Sequence, residues 1–278
     1  MDTTTAERTE TAVGHPPVRL HGSDLTLAYD RRTIATGLDV AIPDRSFTVV
    51  VGPNACGKST LLRALARLLP PARGGIVLDG RDLAAYPAKQ LARILGLLPQ
   101  SSTAPDGITV ADLVARGRYP HQGLLRQWSR EDESVVAASM AATGVADLAD
   151  RPVDELSGGQ RQRVWIAMVL AQETPLLLLD EPTTFLDLAY QIDVLDLCAR
   201  LHREQDRTLV AVLHDLNQAA RYATHLIAMR DGRIVAEGPP ADIVTADLVG
   251  DVFGLRCRVI ADPETGTPLV IPAAPSRE

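Results

Sequence analysis

A glycine-rich stretch at residues 52–60 carries the side chains in this 278-residue sequence best suited to chemistry. It matches the pattern G-x-x-x-x-G-K-[ST], in which backbone N–H groups turn inward around an anion. Lys58 can then reach the β- and γ-phosphates of a nucleotide, and the Ser59 hydroxyl can ligate Mg²⁺. We therefore predict a nucleoside triphosphate site formed by Gly52, Pro53, Asn54, Ala55, Cys56, Gly57, Lys58, Ser59 and Thr60.

A second candidate is the acidic pair Asp180 and Glu181, which directly follows the apolar run at residues 176–179. In open parallel sheets, ligands bind beyond the carboxyl ends of the strands. Asp180 would then hold Mg²⁺ through water, and Glu181 would polarise the attacking water. Taken alone, the pair would more often be a solvated cap on a strand end before Pro182. Its presence together with the phosphate loop favours the catalytic interpretation.

Residues 156–160, Leu-Ser-Gly-Gly-Gln, open a strongly apolar helix pattern. Ser157 has N-cap chemistry, and Gly158 and Gly159 expose backbone N–H groups to an approaching anion. Arg161 and Arg163 in the first turn oppose the helix dipole, which favours a surface facing phosphate over a plain helix start. On these residues alone, a glycine-rich structural cap remains an equal alternative.

The elements that must position these residues alternate between strand and helix. The apolar run at 47–51 and the leucines after the loop predict a strand, a loop and a helix. Alternation between residues 18 and 42 predicts antiparallel strands, and residues 76–78 predict a strand that ends in a turn at Asp79 and Gly80. The apolar runs 176–179 and 209–213 are typical of buried parallel strands. Residues 87–98 predict a helix, and residues 109–150 predict an inserted helical block.

The composition limits the classes of function. A net charge of −7 and 4% aromatic residues argue against nucleic acid as a partner. The separated cysteines Cys56, Cys198 and Cys257 indicate neither a disulfide framework nor a zinc site. Cys56 would be oxidisable only if the helix dipole lowered its pKa, and a tolerated small residue is the simpler interpretation. No apolar stretch approaches the ~18 residues that span a membrane.

The order of GPNACGKST, LPQ, LSGGQRQR, LLLLDEP and LHD resembles the ATP-binding subunits of ABC transporters over about residues 18–255. The segments 54–56, 117–121, 182–187 and 214–217 are similar to the importer branch for iron–siderophore, haem and cobalamin complexes. Ala55 departs from the many relatives that have glycine there. If that position needs a positive φ, alanine costs roughly 1–2 kcal/mol.

This resemblance implies a role for each motif. Tyr29 would stack on adenine, Gln100 would contact Mg²⁺ and the attacking water, and His214 would contact the γ-phosphate. Catalysis would thus rest on Lys58, Gln100, Glu181 and His214, and Mg²⁺ on Ser59, Gln100 and Asp180. Residues that act on the ATP of a second, head-to-tail copy would be Leu156, Ser157, Gly158, Gly159 and Gln160, with Asp187 at the dimer contact.

The resemblance also implies partners and a location. Permease subunits would dock near residues 101–123, a substrate-binding protein would be an indirect partner, and the chain would lie peripherally on the cytoplasmic face of the membrane. The rival interpretations are a soluble non-transport ABC ATPase and a small-molecule kinase. One cassette per chain and the acidic charge disfavour the first, and residues 156–160 together with His214 have no use in the second.

We expect an α/β fold: a P-loop ATPase core with a parallel sheet, an N-terminal antiparallel β subdomain and an inserted helical subdomain. Residues 1–17 would be a disordered lead-in, residues 18–260 a single ABC ATPase domain, and residues 261–278 a loose tail. Within the domain, residues 18–86 and 160–260 would form the ATP-binding core. Residues 87–159 would form the helical subdomain.

Overall fold

A six-stranded, mainly parallel sheet lies at the centre of the computed structural model, which describes residues 17–30, 32–123 and 128–274. The strands in chain order are β1 (Val18–Tyr29), β2 (Arg32–Pro43), β3 (Phe47–Val51), β4 (Arg73–Leu78), β5 (Arg81–Asp82), β6 (Leu95–Leu98), β7 (Leu176–Asp180), β8 (Thr208–Val212), β9 (His225–Arg230), β10 (Arg233–Gly238), β11 (Cys257–Ala261) and β12 (Pro268–Pro272). The α-helices are α1 (Lys58–Leu65), α2 (Ala88–Leu91), α3 (Val110–Ala115), α4 (Arg130–Ala142), α5 (Gly158–Ala171), α6 (Leu188–Gln205), α7 (Leu216–Tyr222), α8 (Pro240–Ile243) and α9 (Ala246–Phe253).

The central sheet has the order β10-β9-β3-β8-β7-β6, and every neighbouring pair except β10–β9 is parallel. Strands β3, β7 and β8 are buried at every residue, because apolar clusters cover both faces of the sheet. Helix α1 and the antiparallel strands pack on one face, and α5, α6, α7 and α9 pack on the other. The uninterrupted apolar runs in the sequence follow from this two-sided burial.

The expected N-terminal antiparallel subdomain is present as a four-stranded sheet in the order β2-β1-β4-β5. Strands β4 and β5 are joined by Asp79 and Gly80, both with positive φ, which is the backbone of the predicted tight turn. The apolar side chains of this four-stranded sheet pack with those of α1 in one cluster. The antiparallel sheet therefore backs the helix that follows the glycine loop.

The helical block predicted for residues 109–150 is also present. Helices α3 and α4 pack with α5 around an apolar cluster that includes Val110, Val136 and Val164. Ser129 begins α4 with a capping box in which Asp132 is the reciprocal partner. Trp165 and Met168 of α5 touch both this cluster and the cluster under the central sheet, so α5 joins the helical block to the core.

The helix expected over residues 87–98 is wrong beyond its first turn. Only α2 is helical, and β6 pairs in parallel with β7 at the edge of the central sheet. Gly96 permits this pairing, since a Cβ atom there would lie 2.7 Å from Thr174 Oγ1. Residues 95–98 therefore belong to the core sheet and not to a helical subdomain that starts at residue 87.

The loose tail expected from residue 261 is also wrong for the part of it that forms β12. That strand pairs with β11 in a hairpin, and Val270 is buried against the core. The sequence does not predict this strand, because prolines stand at both ends of its short apolar run. The lead-in predicted for residues 1–17 falls, apart from Pro17, outside the described residues, as do residues 275–278 of the tail. Within the described ranges, every helix is too short or too polar to cross a bilayer.

Candidate functional site

The glycine loop connects β3 to α1, as the sequence predicts. Lys58, the first residue of α1, is buried, and its Nζ donates to the carbonyl oxygens of Gly52 at 2.8 Å and Pro53 at 2.9 Å. Gly52 has φ of 153°, and a Cβ atom there would lie 2.1 Å from the Met229 carbonyl oxygen. The loop thus folds tightly around a buried ammonium group beside a helix N-terminus, which is a phosphate-binding arrangement.

Two neighbouring loop positions answer questions that the sequence raised. Ala55 has φ of 62°, so the positive φ that would favour glycine is indeed required there. Cys56 is buried, and burial raises the pKa of its thiol despite the nearby Lys58. A thiol that stays protonated is a poor target for oxidation, which supports the interpretation of Cys56 as a tolerated small residue.

Ser59 and Asp180 form the pair expected for Mg²⁺. Ser59 Oγ donates to Asp180 Oδ1 at 2.8 Å, and Asp180 is buried at the end of β7. Burial raises the pKa of Asp180, although the bond from Ser59 opposes that shift. A bound cation would remove this penalty on the charged carboxylate. Two adjacent hard oxygens fit a Mg²⁺ ion whose other ligands are phosphates and water.

Glu181 and His214 come together across the ends of β7 and β8. Glu181 Oε1 lies 2.7 Å from His214 Nε2, and Glu181 has φ of 54°. A non-glycine residue in the left-handed region is a mark of functional sites, because the strain must be held by the surrounding structure. The bond from the histidine ring orients the carboxylate, which is the geometry that a residue polarising a water requires.

These residues share one cleft of about 480 Å³. Its walls consist of Arg32, Ile34, Asn54, Ala55, Gly57, Lys58, Ser59, Thr60, Gln100, Glu181 and His214. Gln100, which follows β6, is thus brought opposite the glycine loop. The sequence reading missed Arg32 and Ile34 at the start of β2. A cation three residues after Tyr29 was the available signal for Arg32, since Tyr29 and Arg32 are paired in register.

Tyr29 itself does not line the cleft. Its ring is 39% exposed at the end of β1, and its hydroxyl accepts a hydrogen bond from Arg63 Nη1 at 3.2 Å. Because the ring is exposed at the β1–β2 turn, which leads into Arg32 on the cleft wall, it can receive a flat group from solvent. Its stacking role stays a prediction.

Residues 156–160 also lie outside the cleft walls. Ser157 begins α5 with a capping box to Gln160, and the Gly158 and Gly159 positions approach Phe185 and Leu186. Arg161 Nη2 donates to the Leu156 carbonyl oxygen at 3.0 Å. Residues 156–160 are thus absent from the walls of the chain's own cleft, and their action on the ATP of a second copy stays a prediction.

The interpretation of Arg163 as facing phosphate is wrong. Its Nη1 donates to the carbonyl oxygen of Gly144 at 2.8 Å, and its guanidinium lies 4.2 Å from the Tyr190 ring centroid. These contacts offset the unfavourable helix dipole. Asp187 caps α6 by accepting from the Tyr190 N–H at 3.1 Å.

The sequence profile described as ABC transporter matches residues 35–184 of this chain. The ferric enterobactin transport ATP-binding protein FepC of Escherichia coli is 60% identical over 254 residues, covering 91% of this chain and 94% of that protein. The achromobactin transport ATP-binding protein CbrD of Dickeya dadantii is 53% identical, covering 90% of this chain and 93% of that protein. Among solved structures, the dimeric bacterial ABC transporter cassette MJ0796 has a TM-score of 0.72 and 25% identity, covering 79% of this chain and 98% of the cassette.

Proposed function

The chain belongs to the ABC transporter family of ATP-binding proteins, and from that premise we propose that it hydrolyses ATP to power import of an iron–siderophore complex through a separate permease. One observation carries the hydrolysis: Lys58, Ser59 and the Glu181–His214 pair line a single cleft, and the buried Asp180 is bound to Ser59 behind its wall. Nucleotide binding needs Lys58 and the Ser59–Asp180 pair, and hydrolysis needs the Glu181–His214 pair.

The proposed division of labour follows the geometry. Lys58 and the N–H groups of residues 52–60 hold the β- and γ-phosphates, and Ser59, Asp180 and Gln100 hold Mg²⁺ directly or through water. Mg²⁺, when bound, would neutralise charge that develops on the phosphate oxygens. Glu181 accepts a hydrogen bond from the attacking water. The Nε2 group of His214 holds Glu181 in place before the nucleotide binds, and would donate to the γ-phosphate instead once ATP is bound.

A second copy of the chain completes the proposed site. Residues 156–160 lie outside the walls of their own cleft, yet Gly158 and Gly159 present N–H groups at a helix N-terminus, whereas the Ser157 N–H donates to Gln160 Oε1. A head-to-tail partner would place them on the opposite side of the γ-phosphate, with Asp187 at the contact. The fold similarity to a cassette solved as a dimer supports this arrangement. ATP would then join the copies, and hydrolysis would release them.

The proposed cargo rests on the relatives. Two proteins more than half identical to this chain are named for transport of ferric enterobactin and of achromobactin. A chain that serves such a system would lie on the cytoplasmic face of the membrane, beneath its permease. A substrate-binding protein would then be an indirect partner.

Docking near residues 101–123 is supported by Tyr119, which is 58% exposed there. Arg118 is buried instead, so a cross-linking probe belongs at residue 119. A Tyr119→Cys variant should cross-link to the permease in membranes, whereas a cysteine at the exposed Val235, on the opposite edge of the central sheet, should not. Equal labelling of both would count against docking at this surface.

The proposed domain division is the one expected above, with residues 95–98 moved to the core.

The test of the proposed function uses Glu181→Gln, which keeps the size of the side chain and removes its charge. With MgATP, this variant should bind ATP, release at least about a hundredfold less phosphate than the wild type, and elute as a dimer in size-exclusion chromatography. Lys58→Ala is the matched control and should stay monomeric, because it cannot retain ATP. A Glu181→Gln protein that hydrolyses ATP normally would exclude the assigned role, and wild-type protein without phosphate release would exclude the function.

A further inference from the structure

The side-chain amide of Asn217 is bound at both ends to the main chain of one residue, Val270. Its Nδ2 donates to the Val270 carbonyl oxygen at 3.2 Å, and its Oδ1 accepts from the Val270 N–H at 2.7 Å. Both main-chain groups of a strand residue point to the same side, so these are the groups that β11 leaves free. Asn217 thus takes the place of a neighbouring strand along β12.

Helix α7, which carries Asn217, depends on such contacts. It has seven residues, fewer than an isolated helix needs to be stable in water. Its fully buried positions, Ala219 and Ala220, offer only methyl groups to the core, and Leu216 and Tyr222 pack against the core while only partly buried. Val270 is 7% exposed and packs in the same apolar cluster as these alanines. The hairpin of β11 and β12 therefore holds α7 by packing and by the paired hydrogen bonds of Asn217.

The beginning of α7 sets the position of His214. Leu213 N donates to the Val50 carbonyl oxygen at 3.2 Å, and Asp215 caps α7 by accepting from Gln218 N at 2.9 Å. His214 lies between these two anchors, with its side chain 46% exposed and its Nε2 2.7 Å from Glu181 Oε1. Because much of the ring is exposed to solvent, few side chains pack against it. Its orientation therefore depends on where the two anchors place the backbone of residue 214.

We propose that Asn217, acting with β12, is a positioning residue that holds His214 in hydrogen-bonding distance of Glu181. The C-terminal hairpin is then part of the hydrolytic apparatus, although none of its residues lines the cleft. This inference rests on the proposed function, because it assigns Asn217 an effect on phosphate release through His214. Two other side-chain hydrogen bonds hold α7 to helix α6. Gln218 Nε2 donates to Gln191 Oε1 at 3.0 Å, and Tyr222 Oη donates to Asp196 Oδ1 at 2.8 Å, at the end of the helix remote from His214.

The test compares steady-state ATP hydrolysis by the full chain. Asn217→Leu removes both hydrogen bonds and should lower kcat about tenfold while leaving KM for ATP within about twofold, because the glycine loop is untouched. Asn217→Asp keeps the acceptor for Val270 N–H and should lie between Asn217→Leu and the wild type. Tyr222→Phe is the matched control, since it removes one hydrogen bond from the same helix, and its kcat should stay within about twofold of the wild type.

A double-mutant cycle separates positioning from general stability. In a His214→Ala background, Asn217→Leu should have little further effect on kcat, because the residue through which it acts is gone. An equal loss of kcat in both backgrounds, or wild-type kcat in Asn217→Leu, would overturn the proposal. If Asn217→Leu fails to fold by circular dichroism, the same cycle with Asn217→Asp decides the matter. Wild-type protein without phosphate release would instead refute the proposed function, whatever the variants show.

Discussion

Ala55 occupies a position in the glycine loop where the backbone has φ of 62°. An L-residue with a Cβ is strained there by roughly 1–2 kcal/mol, because the Cβ crowds the following carbonyl. The residues before it and after it line or support the nucleotide cleft, so the loop keeps this conformation at a cost in stability. Glu181 carries the same kind of strain at the end of β7, with φ of 54°. In both places the surrounding structure, the folded glycine loop at Ala55 and the end of β7 at Glu181, holds a conformation that the residue alone would avoid.

Ala55→Gly should therefore stabilise the protein without ligand. The relief of strain exceeds the extra entropy of glycine in the unfolded chain, and we expect a gain of about 0.5–1 kcal/mol in the free energy of unfolding. Urea unfolding measures it. Ala137→Gly, at an exposed position inside α4, is the matched control and should lose about 1 kcal/mol. Destabilisation by both substitutions would show that Ala55 is not strained.

At the scale of elements, Arg118 ties three segments of the helical block together. From the turn after α3, its Nε donates to Asp132 Oδ1 at 2.8 Å in the first turn of α4. Its Nη1 donates to the Ala171 carbonyl oxygen at 2.8 Å and to Glu173 Oε2 at 2.6 Å, at the end of α5. Arg118 and Asp132 are both buried. The hydrogen bonds from Arg118 and Ser129 outweigh burial and hold the pKa of Asp132 below its ordinary value of 3.8.

Arg118→Met should destabilise the protein by about 3–5 kcal/mol at pH 7, because it leaves the Asp132 carboxylate buried without its partner. Since the folded pKa of Asp132 is lowered, its contribution is complete above pH 3.8 and is lost as the pH falls through the folded value. The difference between wild type and variant should therefore narrow in acid. Chemical unfolding at pH 7 and at a series of pH values below about 3.8 tests this. Arg116→Met, at an exposed position of the same turn, should have little effect at any pH.

At the scale of the whole molecule, the proposed catalytic residues and residues 156–160 belong to different surfaces. The cleft contains the glycine loop, Gln100, Glu181 and His214, but none of the residues from Leu156 to Gln160. Phe185 and Leu188, on either side of Asp187, are exposed apolar residues, with 75% and 70% exposure, and Phe185 lies next to Gly158 in that second surface. A single copy would therefore be both catalytically incomplete and apolar at its surface, and pairing would correct both.

A mixing experiment tests that incompleteness directly. Lys58→Ala and Ser157→Arg should each hydrolyse ATP poorly as pure proteins. Each hybrid dimer has one intact site. Random pairing in an equal mixture would therefore restore roughly a quarter of the wild-type sites, and more if Lys58→Ala does not pair with itself. Phosphate release is the measurement, and wild type diluted with Lys58→Ala is the control for free exchange of subunits. A mixture no more active than the mean of its parts would argue that residues 156–160 act within their own chain.

The candidate catalytic and nucleotide-binding residues of this chain could be identified from short local sequence patterns. A phosphate loop must combine glycines, a lysine and a hydroxyl in adjacent positions, so residues 52–60 could be identified from sequence. The buried strands could be identified too, because burial on both faces demands apolar residues at every position. Asp180 and Glu181 followed from the rule that strand ends meet at one edge of a sheet.

Only the tertiary structure decided which residues meet at a distance. The apolar run at residues 95–98 is too short for its pattern to distinguish an edge strand from a helix. Hydrogen bonding with β7 makes it a strand. The Arg118 network, the entry of Arg32 into the cleft and the bond from Asn217 to Val270 join segments far apart in the chain. Such contacts depend on how separate elements pack against each other. A local pattern of residue types predicts the elements but not which of them will be neighbours.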